Sequence, residues 1–218
     1  MFESLESELR SGIDRLGLTL SDTQVAGLLD YLALLQKWGS VYNLTALREP
    51  QEMLSHHLLD SLAAVKPIRR HSGGGEHSLL DVGSGAGLPG VVVAIACPEV
   101  RVDCVDTVSK KSAFIQQVAG ALKLPNLRGI HARVEKLSAK YDVVTSRAFA
   151  SLHDFVELSA SSVRSEGGCW LAMKGKPPVE EINALPGNVE VFHVEQLEVP
   201  GLNAERCLVW LRPKPSFT

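Results

Sequence analysis

Apolar residues Val25, Leu28, Leu29, Leu32, Leu35 and Trp38 recur at intervals of three and four, the period of one buried helical face. Ser21 or Asp22 can cap this run and Gly39 is the expected stop. The pattern predicts helices across residues 3–66, with residues 41–47 as a linking segment and a further helix over 51–66 after Pro50. Residues 67–77, which hold Pro67, Gly73, Gly74 and Gly75, read as a flexible linker. From residue 78 the rhythm changes to short apolar runs alternating with helical stretches. Strands are expected at 79–82, 100–106, 127–132, 141–147 and 168–174, with helices after Gly90 and over 109–123 and 152–163. The last two apolar runs, 189–194 and 206–211, are joined by a loop and not a crossover helix, so they should pair antiparallel. The expectation is an α/β fold with a Rossmann-like sheet and an antiparallel final strand. A helical extension at 1–70 should precede an α/β domain at 71–218.

The turn after the first strand carries the candidate chemistry. It reads Leu80-Asp81-Val82-Gly83-Ser84-Gly85-Ala86-Gly87-Leu88-Pro89-Gly90, a strand end, a glycine-rich turn and a helix start. Glycine serves where backbone must take positive φ or approach a ligand closely, and a helix start turns N–H groups and a positive dipole end toward an anion. Read from Gly85 the turn satisfies the dinucleotide pattern G-x-G-x-x-G. Read from Asp81 it is D-x-G-x-G-x-G, which resembles motif I of the class I S-adenosylmethionine-dependent methyltransferases. A carboxylate at the strand end would repel a pyrophosphate but attract the cationic methionine end of S-adenosylmethionine, and this favours the second reading. Asp106 ends the next strand about 20 residues on, where a carboxylate can accept both ribose hydroxyls of either cofactor. Arg133-Val134-Glu135 and Arg147 follow the third and fourth strands, at the edge where open α/β sheets keep their ligands. The antiparallel finish tips the balance toward a methyltransferase, because a dehydrogenase would continue the alternation or add a substrate domain.

Composition adds little until it is read by position. The 218 residues carry a formal net charge of −3, but residues 101–150 hold 9 Lys and Arg against 4 Asp and Glu, which would suit an anionic partner on one face. Lys110, Lys111, Arg128, Arg133, Lys174 and Lys176 are candidate phosphate contacts. Cys97, Cys104, Cys169 and Cys207 lack metal spacing and sit beside apolar runs, as buried free thiols of a reducing compartment do. No metal site is expected. His57 and Asp60, one helical turn apart, read as a surface or interface hydrogen-bond pair. The acidic N-terminus and short apolar runs lack a signal-peptide pattern and a membrane span, which points to a cytoplasmic protein without membrane partners.

Several stretches together resemble the bacterial RsmG family, also called GidB. They are Lys37-Trp38 with Tyr42-Asn43-Leu44-Thr45, Glu52-Met53-Leu54 with His57 and Leu59-Asp60-Ser61, the glycine turn, Arg133-Val134-Glu135, Ser146-Arg147-Ala148-Phe149-Ala150, and Met173-Lys174-Gly175. The Gly73-Gly74-Gly75 linker, longer than expected, and Ser84 with Ala86 in the turn depart from the pattern. The resemblance implies transfer of a methyl group from S-adenosylmethionine to N7 of guanine 527, in the 530-loop region of 16S rRNA. It implies that Gly83 and Leu88 line the methionine and ribose region, that Val134 and Glu135 meet the adenine, and that Arg147 belongs to the cofactor site. Asp81, Gly85 and Asp106 are added from their positions. Guanine N7 has a free lone pair, so attack on a sulfonium methyl needs alignment and no general base, and no catalytic residue is named. The substrate should be 16S rRNA within the small ribosomal subunit or an assembly intermediate, with a monomer as the default state. Two readings from other classes stay open here: an NAD-binding or nucleotide-sensing module, and a methyltransferase acting on a small molecule or protein.

Overall fold

A computed structural model describes residues 2–149 and 151–214; Ala150, the last residue of one quoted motif, lies outside them. Helix α1 (Phe2–Arg15) leads into α2 (Asp22–Tyr42), which Ser21 starts with a capping box. The Ser21 hydroxyl accepts from Gln24 N–H at 3.2 Å, and the Gln24 side chain accepts from Ser21 N–H at 2.9 Å. The helix does not stop at Gly39. Its apolar stripe continues through Trp38 to Tyr42, whose rings stack at 5.4 Å, and Asn43 closes it in the left-handed region at φ 52°.

The helix expected over 51–66 is broken into pieces. A turn of α3 (Pro50–Met53) passes into a π-helical segment (Leu54–Leu59), then α4 (Asp60–Leu62) and α5 (Val65–Ser72). Pro67 sits in the first turn of α5, where a missing N–H needs no helical partner. Most of the expected linker is therefore helix, and only residues 73–76 connect it to the sheet.

The sheet comprises β1 (His77–Val82), β2 (Val100–Asp106), β3 (Leu127–His131), β4 (Val143–Arg147), β5 (Cys169–Lys174), β6 (Val189–Leu197) and β7 (Arg206–Pro213). Their order across the sheet is β3-β2-β1-β4-β5-β7-β6; β7 runs antiparallel to both β5 and β6, and the other pairs are parallel. Helices α6 (Gly90–Ala96), α7 (Ser109–Ala121), α8 (Leu152–Ser159) and α9 (Val179–Asn183) provide the connections. Both faces of the central strands are covered, which explains the unbroken burial of β1 from Ser78 to Val82. On one face α8 packs through Phe155 against Leu80 and Val144. On the other, Leu9, Leu28 and Leu58 of the N-terminal helices share a single apolar cluster with Val92 of α6, Phe114 of α7 and Leu171 of β5. The helical extension is thus a layer laid on the sheet's own helices. The four cysteines are all buried and unbridged. No helix among the described residues is long and apolar enough to cross a membrane.

Candidate active site

The sheet reverses its winding between β1 and β4, so their carboxyl ends splay apart and leave a crevice. A cleft of about 400 Å³ opens there. Its floor is Val82 at the end of β1 and Gly83 just after it, its sides Val105, Asp106 and Lys111 from β2 and α7, and Val134 and Glu135 after β3; Phe149 closes it from beyond β4. Gly83 takes φ 65°, a conformation that favours glycine, and so keeps the floor of the cleft bare. Of the expected cofactor residues, the fold gathers Gly83, Asp106, Val134 and Glu135 around this one space.

Asp106 ties two walls together. One carboxylate oxygen accepts from Gly85 N–H at 3.0 Å, the other from Val108 N–H at 2.8 Å, and Lys111 Nζ stands 3.8 Å away. Each oxygen keeps a further lone pair for a hydroxyl donor. Val134 and Glu135 open a 3-10 turn (Val134–Lys136), whose first N–H groups have no partner within the turn. Gly85 therefore acts on the cleft through its bond to Asp106 and does not line it.

Asp81 and Leu88 lie deeper, Leu88 among the buried core residues. Asp81 has no exposure, and one of its oxygens accepts from Gly90 N–H at 2.8 Å. This corrects the picture of a helix start with its N–H groups free for the ligand. The first N–H of α6 is taken by Asp81, and that of Val91 by the Gly87 carbonyl at 2.7 Å. Glycine is needed at position 90 because a Cβ there would collide with Cys104 Sγ and come within 2.9 Å of Asp81 Oδ2. Burial pushes the Asp81 carboxyl up to about 7, against the opposing pull of the Gly90 N–H. Asp81 Oδ1 and Ser84 Oγ are buried with no hydrogen-bond partner among the described residues. Polar atoms orphaned at the root of the turn fit a cationic ligand group such as the methionine end of S-adenosylmethionine.

Arg147 is not in this cleft. It faces a second one, of about 450 Å³, between the π segment and the ends of β4 and β5. Arg147 Nη1 donates to the His56 carbonyl at 2.9 Å and to Asp60 Oδ2 at 2.8 Å. Asp60 Oδ1 accepts from Arg206 Nε at 2.7 Å. The expected His57–Asp60 surface pair is therefore replaced by a buried carboxylate between two arginines, and His57 Nε2 bonds Thr45 Oγ1 at 2.8 Å. Burial and the neighbouring Arg147 push His57 down to about 4. Arg206 was not foreseen: nothing in a basic residue at the start of the last strand says that it will face a carboxylate 146 positions earlier. Phe149 carries no polar group that would mark it in the sequence, yet it forms one wall of the strand-end cleft.

A sheet of this order with a bare glycine turn and a strand-end carboxylate beside a crevice defines a class I methyltransferase fold, whose methyl donor is S-adenosylmethionine. Solved structures agree on the fold. The Burkholderia thailandensis 1,6-didemethyltoxoflavin-N1-methyltransferase, solved with bound 1,6-didemethyltoxoflavin and S-adenosylhomocysteine, superposes with TM-score 0.56 at 14% identity over 90% of this chain and 92% of that one. TrmN from Thermus thermophilus gives TM-score 0.56 at 17% identity, over 73% of this chain and 53% of that one. The sequence is closer to named relatives. A family model described as rRNA small subunit methyltransferase G matches residues 24–209. Ribosomal RNA small subunit methyltransferase G of Acidovorax ebreus (strain TPSY) is 65% identical over 218 residues, covering 96% of each chain. The Methylibium petroleiphilum protein of the same name is 55% identical over 213 residues, covering 97% of this chain and 96% of that one. The chain belongs to the rRNA small subunit methyltransferase G family, and the readings as an NAD-binding or nucleotide-sensing module and as a methyltransferase of a small molecule or protein are set aside.

Proposed function

We propose that this protein transfers the methyl group of S-adenosylmethionine to N7 of a guanine in 16S rRNA, at position 527 in the 530-loop region, within the small ribosomal subunit or an assembly intermediate. The observation that carries the reading is the convergence of Gly83, Asp106, Val134 and Glu135 on one cleft at the strand ends. In it Asp106 accepts the ribose hydroxyls on its two remaining lone pairs, and the N–H groups of Val134 and Glu135 with the Glu135 carboxylate meet the adenine edge. Asp81, Gly85 and Leu88 shape the glycine turn, and the unpartnered Asp81 oxygen answers the cationic methionine end. When bound, S-adenosylmethionine supplies a sulfonium methyl ready for displacement. The protein's part is to hold the acceptor nitrogen in line with it and to exclude water, since N7 has no proton to remove. Arg147 stands on the acceptor side of the Arg147–Phe149 segment, which separates the two clefts. In a labelled methyl-transfer assay with small subunits lacking the modification, label is expected in 7-methylguanosine. Cofactor binding without that product would keep the fold and overturn the substrate.

A further inference from the structure

We infer that the second cleft seats the acceptor purine, and that Asp60 is the positioning residue that aims Arg147 and Arg206 at its O6. The inference rests on the methyl-transfer reading and adds to it the means of recognising the base. Asp60 is only 2% exposed, yet both its oxygens are occupied by guanidinium groups, Arg147 at 2.8 Å and Arg206 at 2.7 Å. Two cations on one carboxylate leave a net positive charge facing the cleft. Arg147 spends Nη1 on Asp60 and the His56 carbonyl; Arg206 spends Nε on Asp60 and Nη1 on the Glu205 carbonyl. The Nη2 group of each has no hydrogen-bond partner among the described residues.

Two further features point to a ligand. His57 lines the cleft at 8% exposure, and its Nδ1 is buried with no hydrogen-bond partner among the described residues. Ala148 takes φ 66°, a strained conformation for a residue with a Cβ, at the point where the chain passes from the second cleft to the first. Arg147 and Ala148 line one cleft and Phe149 the other, so a base in the second lies one short segment from the methyl donor in the first.

The tie to Asp60 also solves a chemical problem. A free arginine grips guanine with its fork, one N–H on O6 and one on N7. Such a grip would block the atom to be methylated. Arg206, with Nε on Asp60 and Nη1 on the Glu205 carbonyl, can give O6 a single bond from Nη2 and leave N7 open, while Arg147, pinned at Nη1 by Asp60 and the His56 carbonyl, adds its charge beside it. Adenine presents an amino donor where guanine presents O6, so two facing arginines reject it.

The tests use the full chain and small subunits lacking the modification. Asp60→Asn keeps the shape and removes the charge; Arg206→Gln and Arg206→Lys vary a partly exposed position and leave Arg147 paired with Asp60. We expect Asp60→Asn and Arg206→Gln to lower kcat/KM by about tenfold or more, with Arg206→Lys recovering part of the loss. Their affinity for S-adenosylmethionine, measured by calorimetry, should stay at the wild-type value, because neither residue lines the cofactor cleft. Subunits reconstituted with inosine at the target, which keeps O6 and N7, should be methylated; those with 2-aminopurine, which keeps N7 and lacks O6, should lose about tenfold or more. Wild-type kcat/KM in both Asp60→Asn and Arg206→Gln, or equal transfer to 2-aminopurine, would overturn the inference and leave the methyl-transfer reading standing. A wild-type protein that binds the cofactor and makes no 7-methylguanosine defeats both.

Discussion

A carboxyl group with no access to water and a single hydrogen bond is held most cheaply with its proton on, and Asp81 is such a group. Its value of about 7 in the fold lies above the ordinary 3.8, so between these limits the folded chain holds a proton that the unfolded chain has released. Its contribution to stability is therefore greatest below about pH 4 and declines as the pH climbs to about 7. His57 acts in the opposite sense, since its depressed value of about 4 makes stability rise with pH up to its ordinary 6.5. Asp81→Asn, with an amide oxygen that still accepts from Gly90, separates the two. Thermal melts from pH 4 to 8 should show the variant gaining on the wild type as pH rises; parallel curves would mean that Asp81 does not titrate in this range. Cofactor binding should share the linkage, with wild-type affinity rising toward pH 7 as a cationic ligand draws Asp81 into its charged form, and the variant's affinity flat. Asp81 was visible in the sequence as a strand-end acid. Its burial was not, because that depends on α6 lying flush on β1 and β2 over the side-chain-free Gly90.

At the scale of elements, Gln24 joins two helices that are far apart in the chain. Besides its part in the capping box, its side-chain amide donates to the Ile95 and Ala96 carbonyls at 3.0 and 2.8 Å, satisfying the last turn of α6. Gln24→Ala removes the reciprocal cap and leaves these two carbonyls without that donor. Chemical denaturation should show a loss of about 1–3 kcal/mol, against about 1 kcal/mol for Ser21→Ala, which loses the cap alone. Equal losses would show that the bridge to α6 contributes nothing. The cap and the stripe of α2 were legible from the residues, since both depend on neighbours within a few positions. The π segment was not. It places the His56 carbonyl and Asp60 side by side against Arg147, a demand that comes from β4 and leaves no trace in the local period.

For the whole molecule, the excess of positive charge in residues 101–150 is smaller in space than in sequence. Arg128 is committed to Asp103 at 2.7 and 3.1 Å, and the same carboxylate accepts from Tyr141. Lys174, outside that block, is likewise held by Glu181 at 2.8 Å, while Lys110 within it is exposed with no ion pair among the described residues. Binding to small subunits should weaken with salt, and Lys110→Gln should reduce the slope of log affinity against log salt by about one. Arg128→Gln should leave that slope unchanged, and a change equal to that of Lys110→Gln would mean that the Asp103 pair opens on binding. The strand and helix order, the antiparallel finish and the glycine turn were determined by the sequence alone, because periodicity, turn residues and connection length act over short stretches of chain. Only the tertiary structure decided that Arg147 lines a cleft apart from the one shared by Gly83, Asp106, Val134 and Glu135, that Asp60 joins it to Arg206, and that the N-terminal helices form one wall of Arg147's cleft. Those relations depend on packing between residues 87 and 146 positions apart, where the side chains that meet have no periodic relation to one another.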